Sequence, residues 1–265
     1  MIHIGFIIEQ ALGHITHTKN LQANVPKDRT VAAHWGLIPF EANGLAAKVP
    51  VYKSNWTVRA GTRARRAVGQ LLKEAPLDAL FFHTQVPAVL GGALTRRQPY
   101  VISTDITPRQ YDAIGQHYGH RADRGGPLAA YKHHANLSTL RGAAKLLPWS
   151  TWTRQSLIDE YGVKVNQIEV LPPGVDMEVW RPKPAARSSS GPLKILFVGG
   201  DFHRKGGNTL LTAFQALPRG SAELHLVTRT PAPSGEGLRS YHGLQPNQPE
   251  LIEVFQQCDV FVLPT

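Results

Sequence analysis

The segment GPLKILFVGGDFHRKGGNTLLTAF, residues 191–214, runs from an apolar stretch through a glycine-rich turn into a helix-like stretch. The first amide groups of a helix lack acceptors within the helix, and the helix dipole favours negative charge there, so such a turn is a ready anion site. Glycine lets a phosphate approach the backbone closely, and adjacent basic residues add positive charge. The segment therefore predicts a site for a diphosphate. Its predicted ligands are Gly200, Arg204, Lys205 and Gly206. The alternative is a tight turn with solvated basic side chains.

Two familiar phosphate motifs do not fit this turn. A P-loop ends in Gly-Lys-Ser/Thr, but Lys205 is followed by two glycines. The glycine spacing also departs from the G-x-G-x-x-G pattern of dinucleotide-binding folds. The turn is therefore neither a standard ATPase loop nor a standard NAD loop.

Short apolar runs recur on both sides of this segment, with helical stretches between them. They are residues 2–8, 79–82, 100–102 and 144–147, then 193–198, 223–227 and 259–263. This alternation is typical of parallel sheets that helices cover on both faces. The stretch RPKPAARSSSG, residues 181–191, lacks apolar periodicity, as a linker does. We therefore predict an α/β protein with two Rossmann-like domains, the second incomplete. Their predicted bounds are 1–181 and 192–265, with a linker at 182–191. The alternative for the linker is a surface loop within one domain.

Composition limits the class of protein and the kind of partner. The 265 residues carry a formal net charge of +10 and a single cysteine, Cys258, so an internal disulfide is excluded and a reducing compartment is expected. No apolar run is long enough to span a bilayer, and Glu9 in MIHIGFIIEQ argues against a signal peptide. The positive charge favours phosphate-bearing substrates, membrane surfaces or nucleic acid. Nucleic acid is the weaker alternative, because the sequence contains no zinc-finger pattern and no RNA-binding aromatic signature.

A basic amphipathic helix is predicted to begin near Val58. Small and apolar residues share one of its faces: Ala60, Ala64, Ala67, Val68 and Leu71. Basic residues share the other: Arg59, Arg63, Arg66 and Lys73. A basic face can lie on anionic lipid, so we expect a cytoplasmic protein that binds the inner face of the membrane peripherally. An ordinary solvated helix face is the alternative.

Polar residues that follow the apolar runs of the first half are candidate site residues, because ligands of parallel sheets bind outside the carboxyl ends of the strands. Gly13 and His14 follow the first run, His83 ends ALFFH, and Asp105 follows YVIST. We expect Gly13 and His83 to line a substrate loop, and His14 and Asp105 to act on a substrate hydroxyl. The alternatives are a surface or capping histidine and a turn or capping carboxylate. His14 and His17 share a helix face, but no third ligand is near them in sequence, so we predict no metal site.

Four motifs follow one another toward the end of the chain. PWSTWTRQSLIDEYGV, residues 148–163, precedes IEVLPPGVDMEVWRP, residues 168–182. ILFVGG, the Lys205-Gly206 pair and LLTAF come next, and YHGLQPNQPELIEVFQQCDVFVLPT, residues 241–265, comes last. Their order and spacing, from about residue 144 onward, resemble those of family 4 glycosyltransferases, which have the GT-B fold.

This resemblance implies an enzyme that moves a sugar from a nucleotide-diphosphate donor to a carbohydrate or lipid-linked acceptor, with retention of configuration. Lys205 and Arg204 would stabilise negative charge on the leaving diphosphate. The family's arginine beside the strand-end glycine is absent, because Gly200 stands there, and Arg204 is the candidate substitute. The chain contains no D-x-D pair, the motif of metal-dependent glycosyltransferases, so we expect neither a metal nor a cofactor.

The resemblance also implies that the chain stops early. In the family, two glutamates eight positions apart follow the stretch that ends here at Thr265. We therefore expect a truncated or split glycosyltransferase whose 265 residues alone transfer sugar poorly. A non-catalytic nucleotide-sugar-binding protein and an inactive fragment are the alternatives.

Overall fold

The described residues form two compact units. The computed structural model describes residues 1–11, 13–42, 44, 48–92, 97–120, 122, 125–182, 191–231 and 233–265. Residues 183–190, most of the predicted linker, lie outside this set. The units are Met1–Gly174, unit 1, and Val175–Thr265, unit 2. Each has its own sheet and its own buried core.

Unit 1 is a five-stranded parallel sheet with helical connections. Its strands are β1 Ile2–Gln10, β2 Val31–Pro39, β3 Ala79–His83, β4 Tyr100–Thr104 and β5 Lys145–Pro148. Its helices are α1 His14–Asn24, α2 Pro50–Ser54, α3 Trp56–Glu74, α4 Val86–Val89, α5 Pro108–Ile114, α6 Pro127–Arg141 and α7 Thr151–Asp159. Short 3-10 turns lie at Val25–Lys27, Gly115–Tyr118 and Val165–Gln167. The strand order is β2-β1-β3-β4-β5, which places β3 in the middle, between β1 and β4.

Unit 2 repeats this construction on a smaller scale. Its elements are β6 Leu193–Val198, α8 Gly207–Gln215, β7 Ala222–Val227, β8 Leu238–Tyr241, α9 Pro249–Gln257 and β9 Val260–Phe261. The sheet order is β8-β7-β6-β9, and the strands are again parallel. The α/β prediction is therefore confirmed. Two strands that the apolar runs did not predict, β2 and β8, lie at sheet edges.

The core of unit 1 forms where α3 packs on the sheet. The predicted apolar face of α3 is buried, and Ala60, Ala64 and Val68 are fully enclosed. A Cβ atom on Gly36 of β2 would lie 2.7 Å from Ile7 Cδ1 and 3.2 Å from Ala67 Cβ, so the absence of a side chain lets the helix pack closely. Small residues on both partners thus set the distance between helix and sheet.

The basic face of α3 differs from the prediction at Arg59. This side chain is buried, with a residue exposure of 5%. Its Nε donates to the Phe40 carbonyl at 3.0 Å, and its Nη1 donates to the carbonyls of Tyr52 and Lys53 at 2.9 and 2.8 Å. Placing Arg59 on the solvent face was therefore wrong, because the buried guanidinium donates hydrogen bonds to these three carbonyls.

The predicted membrane contact consequently depends on fewer residues. Arg63 also donates to the Pro39 and Glu41 carbonyls, whereas Arg66 and Lys73 are exposed. Within the described ranges, no helix combines the length and apolar character needed to cross a membrane. Contact of α3 with anionic lipid stays a prediction.

We expect Arg59→Met to lower the free energy of unfolding by about 2–3 kcal/mol, because it removes three charged hydrogen bonds of a buried guanidinium and leaves the three carbonyls without that donor. The matched control is Arg66→Met, which removes the same charge from an exposed position of the same helix and should change stability by less than about 0.5 kcal/mol. Urea unfolding of both variants measures the difference. Equal effects of the two substitutions would contradict the structural role of Arg59.

Candidate functional site

The first group of candidate residues lies at the carboxyl edge of the unit 1 sheet. Register pairs Ile8 with His83, and His83 with Ser103, so the ends of β1, β3 and β4 are level with one another. His14 begins α1 just after β1. Parallel pairing thus brings His14 and His83 together at the edge where ligands of such sheets bind.

His14 and His83 are in direct contact. Nδ1 of His14 lies 2.5 Å from Nε2 of His83, and Nδ1 of His83 lies 3.2 Å from the Ser103 carbonyl oxygen. His83 is fully buried. Burial, together with the neighbouring His14 and His17, holds the pKa of His83 well below its ordinary value, while the Ser103 carbonyl acts in the opposite direction. His83 is therefore neutral at physiological pH.

A buried carboxyl group, Glu9, faces this pair. Its Oε2 accepts a hydrogen bond from Trp56 Nε1 at 2.9 Å, and its Oε1 accepts one from Thr84 Oγ1 at 3.1 Å. Nε2 of His14 lies 3.8 Å from Oε1. Burial raises the pKa of Glu9, the nearby Asp105 adds to this rise, and His14 and the two hydrogen bonds oppose it. A carboxyl group with a raised pKa at a strand end is a frequent feature of functional sites.

Trp149 and His17 complete the cluster. The Trp149 ring stacks on His83 with centroids 5.1 Å apart, and its Nε1 donates to Ser103 Oγ at 2.9 Å. The His17 ring meets the Trp149 ring edge-on at 5.1 Å. Nε2 of His17 is buried without a hydrogen-bond partner among the described residues. Burial, assisted by His14, lowers the pKa of His17 to about 4.

The other two predicted residues of unit 1 lie at the same edge. The Asp105 carbonyl accepts a hydrogen bond from Thr153 Oγ1 at 2.5 Å. The capping alternative for Asp105 is wrong, because Thr107 is the N-cap of α5 and forms a capping box with Gln110. Gly13 is the N-cap residue of α1, and a Cβ atom there would meet nothing within 4 Å. The catalytic and substrate-loop roles of these residues stay predictions.

The second group is the turn of residues 199–207 in unit 2. Phe202 is buried in the core and packs edge-on against Phe197. Gly206 has φ +75°, and a Cβ atom on it would lie 1.9 Å from the Pro264 carbonyl oxygen. Only glycine fits this position, so Gly206 shapes the turn through its backbone.

The backbone of this turn is less open to an anion than predicted. The amides of Lys205, Gly206 and Gly207 donate to the carbonyls of Asp201, His203 and Phe202 at 3.1, 3.1 and 2.7 Å. The amide of Gly207, the first residue of α8, is thus already bonded. Side chains therefore supply most of the positive charge that the turn offers to an anion.

An arginine that the sequence reasoning missed lies across the turn. The guanidinium of Arg229, two residues beyond β7, comes within 2.8 Å of the place where a Cβ atom of Gly200 would be. Thr230 Oγ1 accepts a hydrogen bond from the Phe202 amide at 3.3 Å, which ties the exit of β7 to the turn. Burial and the neighbouring Arg204 lower the pKa of Lys205, as expected where cations gather. Nothing in the sequence indicates that Arg229 lies beside Gly200. Their proximity follows from the pairing of β6 with β7.

No group of three or more His, Cys, Asp or Glu side chains in the described part of the chain is arranged to hold a metal ion. His14, His17 and His83 instead form a cluster in which the rings contact one another and Trp149. At the two candidate sites, the described side chains provide hydrogen-bond acceptors in unit 1 and cations in unit 2.

Residues 25–179 match the family described as Glycosyltransferase Family 4. The chain belongs to this family, as its motifs predicted. It is 28% identical over 160 residues to the D-inositol 3-phosphate glycosyltransferase of Arthrobacter sp. (strain FB24), a match that covers 52% of this chain and 38% of that protein. The matched part is thus well under half of this curated relative's length.

Solved glycosyltransferase structures share the fold of this family 4 chain. Sucrose-phosphate synthase from Thermosynechococcus elongatus superposes with a TM-score of 0.67 at 12% identity, covering 100% of this chain and 76% of that one. A glycosyltransferase from Rickettsia africae gives 0.60 at 12% identity, with coverages of 99% and 72%. The Anabaena protein HepE, in complex with UDP and glucose, gives 0.59 at 12% identity, with coverages of 98% and 73%. At these identities the similarity concerns the GT-B fold.

We expect the free energy of unfolding of this family 4 chain to fall as the pH drops from 6.5 toward 4, and the substitution His17→Phe to make that dependence on pH shallower. Folded His17 has a pKa of about 4 against an ordinary 6.5, so in this window the unfolded chain binds more protons than the folded chain. The change in slope should stay below about 1.4 kcal/mol per pH unit, because one histidine accounts for at most one additional proton bound by the unfolded chain.

The matched control for this pH dependence is His134→Phe, which changes an exposed histidine of α6 in the same unit. Denaturant unfolding at several pH values measures all three proteins. The raised pKa of Glu9 contributes a slope of opposite sign to each of them. A slope left unchanged by His17→Phe would contradict burial of the neutral imidazole.

Proposed function

We propose that this family 4 chain transfers a sugar from a nucleoside-diphosphate donor to a carbohydrate or lipid-linked acceptor. The observation that carries the proposal is the gathering of Arg204, Lys205 and Arg229 around the turn that follows β6. In a chain of this family, a set of cations at a strand-end turn suits a diphosphate leaving group.

Electrostatic stabilisation is the role we assign to these cations. When the bond between the sugar and the diphosphate breaks, negative charge grows on the diphosphate oxygens, and fixed cations stabilise that charge. An arginine guanidinium can bind two phosphate oxygens at once, whereas lysine acts as a point charge. Gly200 leaves room for the Arg229 guanidinium, so Arg229 takes the role that the resemblance gives to an arginine beside the strand-end glycine.

The acceptor is assigned to the edge of unit 1 that holds His14 and Asp105. An imidazole nitrogen and a carboxylate can each accept a hydrogen bond from a sugar hydroxyl. Because side chains supply the positive charge at the donor site, we propose transfer without a divalent cation or cofactor. Retention of configuration belongs to the same proposal and is supported by the family.

We expect Lys205→Ala and Arg229→Ala each to weaken the binding of a nucleoside diphosphate by about 10- to 100-fold, since each removes a charge-assisted contact worth about 1.5–3 kcal/mol. The matched control is Arg219→Ala. Arg219 is exposed and carries the same charge. It precedes β7, so it lies at the amino ends of the strands, away from the turn that follows β6. Titration calorimetry with UDP, GDP and ADP measures the affinities. Equal affinities in the parent and the two site variants would overturn the donor-site assignment.

A transfer assay tests the activity itself. The chain is incubated with nucleoside-diphosphate sugars and simple glycoside acceptors, with and without EDTA, and the products are examined by NMR for anomeric configuration. Diphosphate binding without transfer or donor hydrolysis would favour a binding protein over an enzyme. Loss of transfer in EDTA would overturn metal independence.

A further inference from the structure

A stripe of basic and polar side chains runs along the outer side of α3. Its members are three or four residues apart, so they lie in one line along the helix: Arg59, Arg63, Arg66, Gln70 and Lys73. The first two turn toward backbone carbonyls, whereas Arg66, Gln70 and Lys73 are exposed. The one acidic residue of α3 is Glu74, at its carboxyl end. The exposed part of the stripe therefore presents positive charge to its surroundings.

An exposed aromatic ring lies beside the start of this stripe. Phe40 follows β2 directly and is 44% exposed. Nε of Arg59 donates to the Phe40 carbonyl, and the Arg59 guanidinium lies 5.4 Å from the centre of the Phe40 ring. The other neighbour of the ring is Trp56, with centroids 4.9 Å apart. Contacts with α3 thus hold an apolar side chain at the surface.

The short helix α2 adds to the same surface. Nη1 of Arg59 donates to the carbonyls of Tyr52 and Lys53, and Nε of Arg63 donates to the Tyr52 hydroxyl at 2.9 Å. These bonds tie α2 to α3. Lys53 is exposed, and Val49, just before α2, is 53% exposed. Basic and apolar side chains therefore share this part of unit 1.

This surface borders the edge of the sheet that holds His14. The strands β1 and β2 are parallel and their last residues pair, so Phe40 leaves the sheet at its carboxyl edge. Trp56, the neighbour of Phe40, donates from Nε1 to Glu9 at 2.9 Å. Glu9 in turn lies 3.8 Å from Nε2 of His14. Contiguous contacts thus connect the exposed ring with the edge assigned to the acceptor.

We propose that the face formed by Phe40, Lys53, Arg66 and Lys73, the docking face, lies on an anionic bilayer and brings the acceptor edge to a lipid-linked acceptor. Anionic headgroups attract the exposed basic side chains, and an aromatic ring beside them enters the headgroup region. Charge complementarity selects this partner, because a neutral surface would leave the basic stripe unused. The identity of the acceptor rests on the proposed function, whereas docking does not.

Vesicle sedimentation tests docking and needs no sugar substrate. The whole chain is mixed with vesicles of phosphatidylcholine, with or without phosphatidylglycerol. We expect binding to the anionic vesicles that weakens as salt is added, and little binding to the neutral ones. Equal binding to both, or binding to neither, overturns the proposal. Binding to a duplex oligonucleotide and to neither vesicle overturns it in favour of nucleic acid.

Charge-removing variants locate the basic part of the docking face. Arg66→Gln combined with Lys73→Gln should weaken binding to anionic vesicles by about 25-fold, since each basic residue near such a surface contributes about 5-fold. The matched control is Arg97→Gln combined with Lys164→Gln. It removes the same charge from exposed positions near β4 and β5, toward the sheet edge opposite β2, and should bind nearly as the parent does. Equal losses in the two double variants would overturn the assignment of the face.

The apolar part of the face has its own pair of variants. Phe40→Ser should weaken vesicle binding by about 3- to 10-fold, because a partly exposed ring no longer enters the headgroup region. The matched control is Leu128→Ser on α6, where the side chain is 66% exposed, and it should bind as the parent does. Unchanged binding by folded Phe40→Ser would overturn the role of the ring. If this variant does not fold, the charge variants still decide the proposal.

A transfer assay separates docking from the proposed function. The acceptors are one simple glycoside with a lipid tail, carried in anionic vesicles, and the same glycoside without the tail. We expect the Arg66→Gln, Lys73→Gln variant to be about 10-fold slower than the parent on the first and equal to it on the second. Vesicle binding without transfer would contradict the transferase activity and leave docking intact. Transfer to the soluble glycoside without vesicle binding would overturn docking and leave the proposed function intact.

Discussion

Parallel pairing within each sheet is the constraint on which the rest of the structure depends. Every strand runs parallel to its neighbours, so each connection must return across a face of the sheet, and all carboxyl ends share one edge. This is why Glu9, His83 and Trp149, which are far apart in sequence, lie within reach of His14. In unit 2 the same constraint places Arg229 across Gly200.

The two edges carry opposite chemistry. In unit 1, burial keeps His83 and His17 neutral and raises the pKa of Glu9, so this edge offers hydrogen-bond acceptors and no cluster of cations. In unit 2, the turn after β6 gathers cationic side chains, and its carbonyls accept hydrogen bonds from the amides of Lys205, Gly206 and Gly207. The proposed function assigns an acceptor hydroxyl to the first environment and a diphosphate, whose charge the cations would stabilise, to the second.

The strands and Arg59 show which features of the fold the sequence could predict and which it could not. The apolar runs predicted seven of the nine described strands, because buried strands of a parallel sheet are nearly continuous apolar stretches. The strands β2 and β8 were missed, since edge strands are partly exposed and their sequences, VAAHWGLIP and LRSY, mix polar and apolar residues. Arg59 was misplaced because helical periodicity assigns a face but cannot detect carbonyls that need a donor.

The sequence by itself determined the α/β class, the glycine turn with Arg204 and Lys205, and the family, because these depend on local periodicity and motif spacing. Only the tertiary structure decided that His14 meets His83, that Glu9 and Trp149 join them, and that Arg229 lies over Gly200. Hydrogen-bond direction and pKa depend on which groups are buried against each other. Strand order sets those contacts across tens of residues, and no short stretch of sequence records it.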